Sequence, residues 1–187
     1  FKTAIILGGG KSVETNKEAI AKYAESQNDF CLIHAGIKNI LNFKNVNCQQ
    51  IYSLVGVENE KVLEQIHFEK EMNTFFVLPP YPRKMGVSLP QNVQMKAKEL
   101  MEIIFTKSSL DSPFVVAIQT ALDLGINELL LVGFDGYDTE MNKNQFSLAQ
   151  ENQNIINDLI KIEGIKLSTL NPTKYEHIEI TSIYSLI

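Results

Sequence analysis

Apolar residues come in short, nearly unbroken runs: TAIILG (3–8), FCLIHAG (30–36), QIYSLVG (50–56), TFFVLPP (74–80), ELLLVGF (128–134) and IKLSTLNP (165–172). A strand with one wet face would alternate apolar and polar positions, so most of these runs predict parallel strands buried on both faces. Between them the period changes. NKEAIAKYAES (16–26) reads as an amphipathic helix and SPFVVAIQTALDLG (112–125) as a stronger one. In the latter, Ser112 suits the N-cap and Pro113 the first helical position, while Phe114, Ile118, Ala121 and Leu122 share a face and Gly125 suits the close. A third helix is predicted over FSLAQENQNIINDLIKIEG (146–164), with Leu148, Ile155, Ile156 and Leu159 recurring as a core stripe. The interval 81–111 carries several turn signals around a mixed segment, which suits a long loop holding a helix or an added strand; its type stays open.

Strand–helix alternation with right-handed crossovers predicts an α/β fold: three layers, doubly wound, with a mainly parallel sheet of roughly five to seven strands and AIILG in its interior. No repeat, low-complexity segment or internal boundary appears, so residues 1–187 read as a single domain. The chain opens on Phe1 just before a strand and closes on SIYSLI without a polar tail, the pattern expected of a domain taken from a longer chain.

Composition narrows the partners. With 44% hydrophobic and 21% charged residues, 187 positions suffice for one ordinary core. A net charge of -5, with no basic run longer than Arg83-Lys84, argues against a nucleic-acid partner. Cys31 and Cys48 have no C-x-x-C spacing, and His34, His67 and His177 lie far apart, so neither a disulfide framework nor a metal site is expected. No apolar stretch approaches the ~20 residues of a membrane span and no signal peptide is evident, so no membrane partner and a cytoplasmic location are expected.

In a doubly wound sheet ligands bind beyond the C-terminal strand ends at the switch point, and there GGGKS (8–12), HAG (34–36), PPYPRK (79–84) and GFDGYD (133–138) should all emerge. GGGKS is not a Walker P-loop, because the first glycine of that motif would fall on Ile5. A dinucleotide fingerprint fits Gly8 and Gly10 but puts Val13 where close packing wants a third glycine. What remains is a strand ending in Gly8, Gly9 and Gly10, followed by Lys11 and Ser12: either an anion cradle of backbone N–H groups or a tight turn that binds nothing. In the second turn Gly133 and Gly136 allow a sharp bend, Asp135 and Asp138 would accept ligand hydroxyls, and Tyr137 would stack on a base; an ordinary strand-end turn capped by Asp135 is the alternative. His34 would bond a phosphate or act as an acid–base group, or would be a satisfied polar residue at a strand end. Arg83 and Lys84 suit phosphate or carboxylate capture, unless they are only solvated.

LGGGKSV, SPFVVAIQTALDLGINELLLVGFDGYD and LNPTKY together resemble a Rossmann-like group that includes bacterial CMP-sialic-acid-dependent sialyltransferases, motility-associated flagellin glycosyltransferases and archaeal hydroxymethylpterin diphosphokinases. VLPPYPRKMG, DSP with QTALDLG, GFDGYD and NPTKY, in that order, are closer to the C-terminal domain of HMG-CoA-lyase-like aldolases, often labelled 4-hydroxy-2-oxovalerate aldolase, of bacterial surface-polysaccharide clusters. That resemblance implies a metal-dependent TIM barrel N-terminal to this segment in the same chain, and no lyase activity in the segment itself. The glycosyltransferase side implies nucleotide binding at Gly8, Gly10, Ser12 and the Gly133–Tyr137 turn, and Ser112 joins these as a ligand-binding candidate. Lys11 inside the turn, and His34 where that group has asparagine, depart from its pattern, and no catalytic histidine has a counterpart in the second half.

The expectation is therefore an accessory domain that binds a nucleotide, nucleotide-sugar or phosphosugar, with no other cofactor evident. A glycosyl- or phosphoryl-transferase domain and a ligand-free assembly domain stay open, as does a homo-oligomer. For a transferase, His34, Asp135 and His177 are the candidate bases and none has a recognisable partner, so catalytic residues are unassigned.

Overall fold

The computed structural model describes residues 1–36, 38–56, 74–82, 89, 91–138 and 141–187. In chain order these form β1 (Thr3–Leu7), α1 (Lys11–Thr15), α2 (Lys17–Ser26), β2 (Phe30–His34), α3 (Ile40–Phe43), β3 (Gln49–Ser53), β4 (Thr74–Leu78), α4 (Gln91–Gln94) and β5 (Ala97–Glu99). There follow α5 (Pro113–Asp123), β6 (Glu128–Val132), α6 (Lys143–Leu159), β7 (Lys166–Thr169), β8 (Glu179–Ile180) and a 3-10 turn at Ile183–Ser185. The strands make one sheet in the order β5-β4-β3-β2-β1-β6-β7-β8, and each recorded pairing is parallel.

The order follows from where the apolar runs can be buried. β1, β2 and β6 are closed to solvent on both sides, and alternate residues feed two cores, as the period-2 geometry of a strand requires. Ala4, Ile6, Cys31, Ile33, Leu129 and Leu131 face α5 and α6, against Phe114, Ile118, Ala121, Ile155, Ile156 and Leu159. Ile5, Leu7, Leu32, Leu130 and Val132 face the other way, against Val13, Ile20, Tyr23, Phe43 and Ile183. The fold is thus a three-layer α/β sandwich of Rossmann-like type. β1 sends its chain toward β2 through helices on one face, and β6 sends its chain toward β7 through α6 on the other, so the switch point lies between β1 and β6.

All six apolar runs are strands, but the sheet has eight strands among the described residues rather than five to seven. The additions are the two edges. β5 (Ala97–Glu99) and β8 (Glu179–Ile180) are short and largely exposed, so nothing in their environment demands an apolar run. The open interval 81–111 holds both a helical turn, α4, and a strand, β5.

α5 runs as expected, and its end is a Schellman close: Gly125 at φ +72° donates to Leu122 O and Ile126 donates to Ala121 O. Its start differs. Ser112 holds the N-cap position but its side chain makes no capping bond. α6 begins earlier than expected, at Lys143, because Asn142 and Gln145 form a capping box. Leu148 is corrected from core to surface: it is 46% exposed, while Ile155, Ile156 and Leu159 are fully buried. Seventeen helical residues span about 25 Å and a five-residue strand about 17 Å, so the first part of α6 overhangs the sheet edge.

Candidate functional site

β1 and β6 are in register, Leu7 beside Val132, so the turns that follow leave the sheet side by side. They are bonded to each other. Gly8 N–H donates to Val132 O and Gly10 N–H to Gly133 O, each at 2.8 Å. Gly133 N–H donates to Ser12 Oγ at 3.1 Å, Ser12 N–H to Asp135 Oδ2 at 3.0 Å, and the Ser12 hydroxyl to Asp135 Oδ1. The NPTKY turn joins from β7: Asn171 Nδ2 donates to Asp135 Oδ1 at 2.9 Å, and Lys174 N–H to Asp135 O at 3.0 Å.

This contact is what the glycines permit. A Cβ on Gly8 would lie 2.6 Å from Gly133 O, and one on Gly10 would lie 2.6 Å from Asp135 Oδ2. On Gly133, at φ +81°, it would lie 2.5 Å from Val13 Cγ2. Val13, the residue at odds with a dinucleotide fingerprint, is fully buried and fits because its neighbour across the junction is glycine.

Two expectations are corrected by this bonding. Gly8, Gly10 and Ser12 spend their N–H groups inside the protein, so the run Gly8–Ser12 is not a full anion cradle; Gly9 and Lys11 N–H keep no protein acceptor among the described residues. Asp135 is a strut linking the turns after β1, β6 and β7 rather than a free acceptor for ligand hydroxyls. His34 is also corrected as a site residue. It is 1% exposed, stacked on Tyr52 with ring centroids 4.3 Å apart, and its Nε2 lies 3.0 Å from Gln50 Oε1. Gln50 Nε2 donates to Phe43 O and Val46 O, so Oε1 is an acceptor and the His34 proton is on Nε2. Burial holds this imidazole neutral, pulling its pKa down to about 4. His177 is exposed, its Nε2 3.8 Å from Glu176 Oε2, and it does not line the crevice described next. Arg83 and Lys84 lie outside the described residues.

Beside the junction, at the switch point, opens a crevice of about 410 Å³. It is lined by both glycine turns, by Lys38 beyond β2, by Ser112, Pro113 and Phe114 at the start of α5, and by Leu148, Glu151 and Asn152 of α6 with Tyr137 and Tyr175. Of the candidates read from the sequence it therefore gathers Gly8, Gly9, Gly10, Ser112, Gly133, Asp135 and Tyr137, while Lys11 lines an adjoining cavity and Ser12 lies behind the junction.

α5 gives the crevice its polarity. Pro113 has no N–H, those of Phe114 and Val115 have no protein acceptor among the described residues, and the first intrahelical bond is Val116 N–H to Ser112 O at 3.0 Å. The Ser112 hydroxyl has no bond among the described residues, and the Phe114 ring is fixed against Phe134 at 4.1 Å between centroids. Opposite polarity comes from α6, where the Glu151 carboxylate lines the crevice with no protein partner among the described residues. Asn152 Nδ2 donates to Tyr175 Oη at 3.0 Å, and burial raises the Tyr175 phenol above its ordinary pKa.

Sequence reasoning missed Lys38, Leu148, Glu151, Asn152 and Tyr175. Tyr175 stood in a quoted motif, NPTKY; Glu151 and Asn152 sit in a polar helical stretch with no local signal. Among the described residues no group of three His, Cys, Asp or Glu side chains is placed to hold a metal ion, and no helix is long and apolar enough to cross a membrane. Compared with family models, with curated proteins and with solved structures, the chain gives no match.

Proposed function

We propose that this chain is a binding module that takes a nucleotide or nucleotide-sugar in the switch-point crevice. The observation that carries the reading is the first turn of α5: the Phe114 N–H and the Ser112 hydroxyl, both without a protein partner among the described residues, border a crevice of about 410 Å³, a size suited to a small ligand. An eleven-residue helix adds a partial positive charge at that end, so the ligand's phosphate belongs there and not within the glycine run. Tyr137, Tyr175 and Leu148 offer apolar surface for a base or sugar ring, and Glu151 offers an acceptor for its hydroxyl or amino groups. Attachment to an aldolase barrel in surface-polysaccharide synthesis rests on the sequence resemblance alone.

Ser112→Asp separates this reading from a ligand-free fold. A carboxylate at an N-cap that now has no side-chain bond should stabilise α5 by about 0.5–1 kcal/mol, yet repel an incoming phosphate. Scanning fluorimetry should show a raised Tm for the free variant. With CMP, UDP, GDP or their sugars, the wild type should gain about 2.7 kcal/mol at a hundred times Kd, and the variant nothing. Absence of any ligand-dependent shift in the wild type would favour the assembly-domain reading, which the filling of the glycine turn's inner side by Asp135 also suits.

One observation favours a transferase as the second reading: Glu151 is an unpaired carboxylate in the crevice, the position of a general base. On that reading Glu151→Gln should lower kcat for transfer of the bound sugar or phosphoryl group by far more than it weakens nucleotide binding.

A further inference from the structure

The crevice does not end at Tyr137. Through Gly9, Gly10, Lys38, Asp135, Gly136 and Tyr137 it adjoins a second cavity of about 550 Å³, lined also by Lys11, Lys174 and Asp138. Three ammonium groups therefore border one space over the glycine turn. Lys38 Nζ is seated on Gly9 O at 2.7 Å, Lys174 Nζ on Asp138 Oδ1 at 2.7 Å, and the Lys11 ammonium has no partner among the described residues. Two carboxylates share the space, but Asp135 is occupied by Ser12 and Asn171, and Asp138 is 98% exposed in an ion pair with Lys174. Pairs of that kind are worth little in water, so Lys174 is available to a stronger anion at small cost.

We infer that the ligand is a nucleoside diphosphate or its sugar, with Lys11, Lys38 and Lys174 holding the phosphate farther from α5. The inference rests on the nucleotide reading above and adds the second anionic group. A single phosphate at the first turn of α5 leaves Lys11 and Lys174, which do not line that crevice, without a role in binding, whereas a diphosphate brings a further charge toward them. Lysine suits this use: each is a flexible point charge that can leave a weak partner for a phosphate oxygen.

The test is isothermal titration of the 187-residue chain with matched pairs, CMP and CDP, UMP and UDP, GMP and GDP. The best diphosphate should bind at least about tenfold more tightly than its monophosphate. In the double variant Lys11→Ala/Lys174→Ala that advantage should fall below about threefold while monophosphate affinity stays the same. Both side chains are exposed, so the variant's thermal unfolding should match the wild type and exclude misfolding. Equal affinity within each pair, or an undiminished diphosphate advantage in the variant, would overturn the inference and leave the nucleotide reading standing. No binding of any of the six would remove both.

Discussion

His34 shows how a residue type mislead when its neighbours are unknown. A histidine ending a strand at the binding edge invites an acid–base role, but the period of the strand turns it away from the α5 face and into the core beside Tyr52 and Phe43. Its buried neutral state has a measurable consequence. An unfolded chain binds a proton on this ring below pH 6.5, and the folded chain does so only near pH 4. The group's contribution is therefore complete above 6.5 and is lost as pH falls through that window, by up to about 3 kcal/mol. Urea unfolding at several pH values should show this slope, and His34→Phe should flatten it while keeping the Tyr52 bond to Gln50; an equal slope in both proteins would refute the assignment. The glycines were more legible. Their clustering after an apolar run marks a tight turn at a strand end, but the sequence pattern is the same whether a glycine makes room for a ligand or for another turn. Only the distances from a would-be Cβ to Asp135 and Gly133 separate those cases.

At the scale of elements, the apolar runs carried nearly all the information about the sheet's interior, because a strand covered on both sides tolerates few polar residues. The edges escaped for the converse reason: β5 and β8 bury little. Helix α6 shows a third situation, in which one regular stripe serves two purposes because the helix is longer than the layer it covers. Leu148 lies on the overhang and Leu159 over the sheet. Leu148→Ser should change stability by less than about 0.5 kcal/mol, whereas Leu159→Ala should cost about 2–5 kcal/mol. Chemical denaturation of the two variants checks this; comparable losses would mean that Leu148 is part of the core after all. Periodicity alone assigned both residues to the core because it records angle around a helix and carries nothing about position along the neighbouring layer.

For the molecule as a whole, alternation of strand and helix was enough to fix the layer arrangement and the edge at which the crevice opens, since handed crossovers leave few other arrangements. It was not enough to fix which backbone donors stay free, because that depends on how the turns bond to one another. The same junction bears on how the chain reaches its final state. Ser12 and Asp135 are 123 positions apart, and Asn171 is a further 36 beyond Asp135. Contacts of such separation close late, after the loops between them have lost their freedom. On a ribosome, where the N-terminal part emerges first, the turn after β1 must wait without its partners until residue 135, and then residue 171, has been made. The nascent chain thus completes the junction beside the crevice only after residue 171 has been made, so ligand present in the cell meets a sheet already laid down rather than serving as a template for folding.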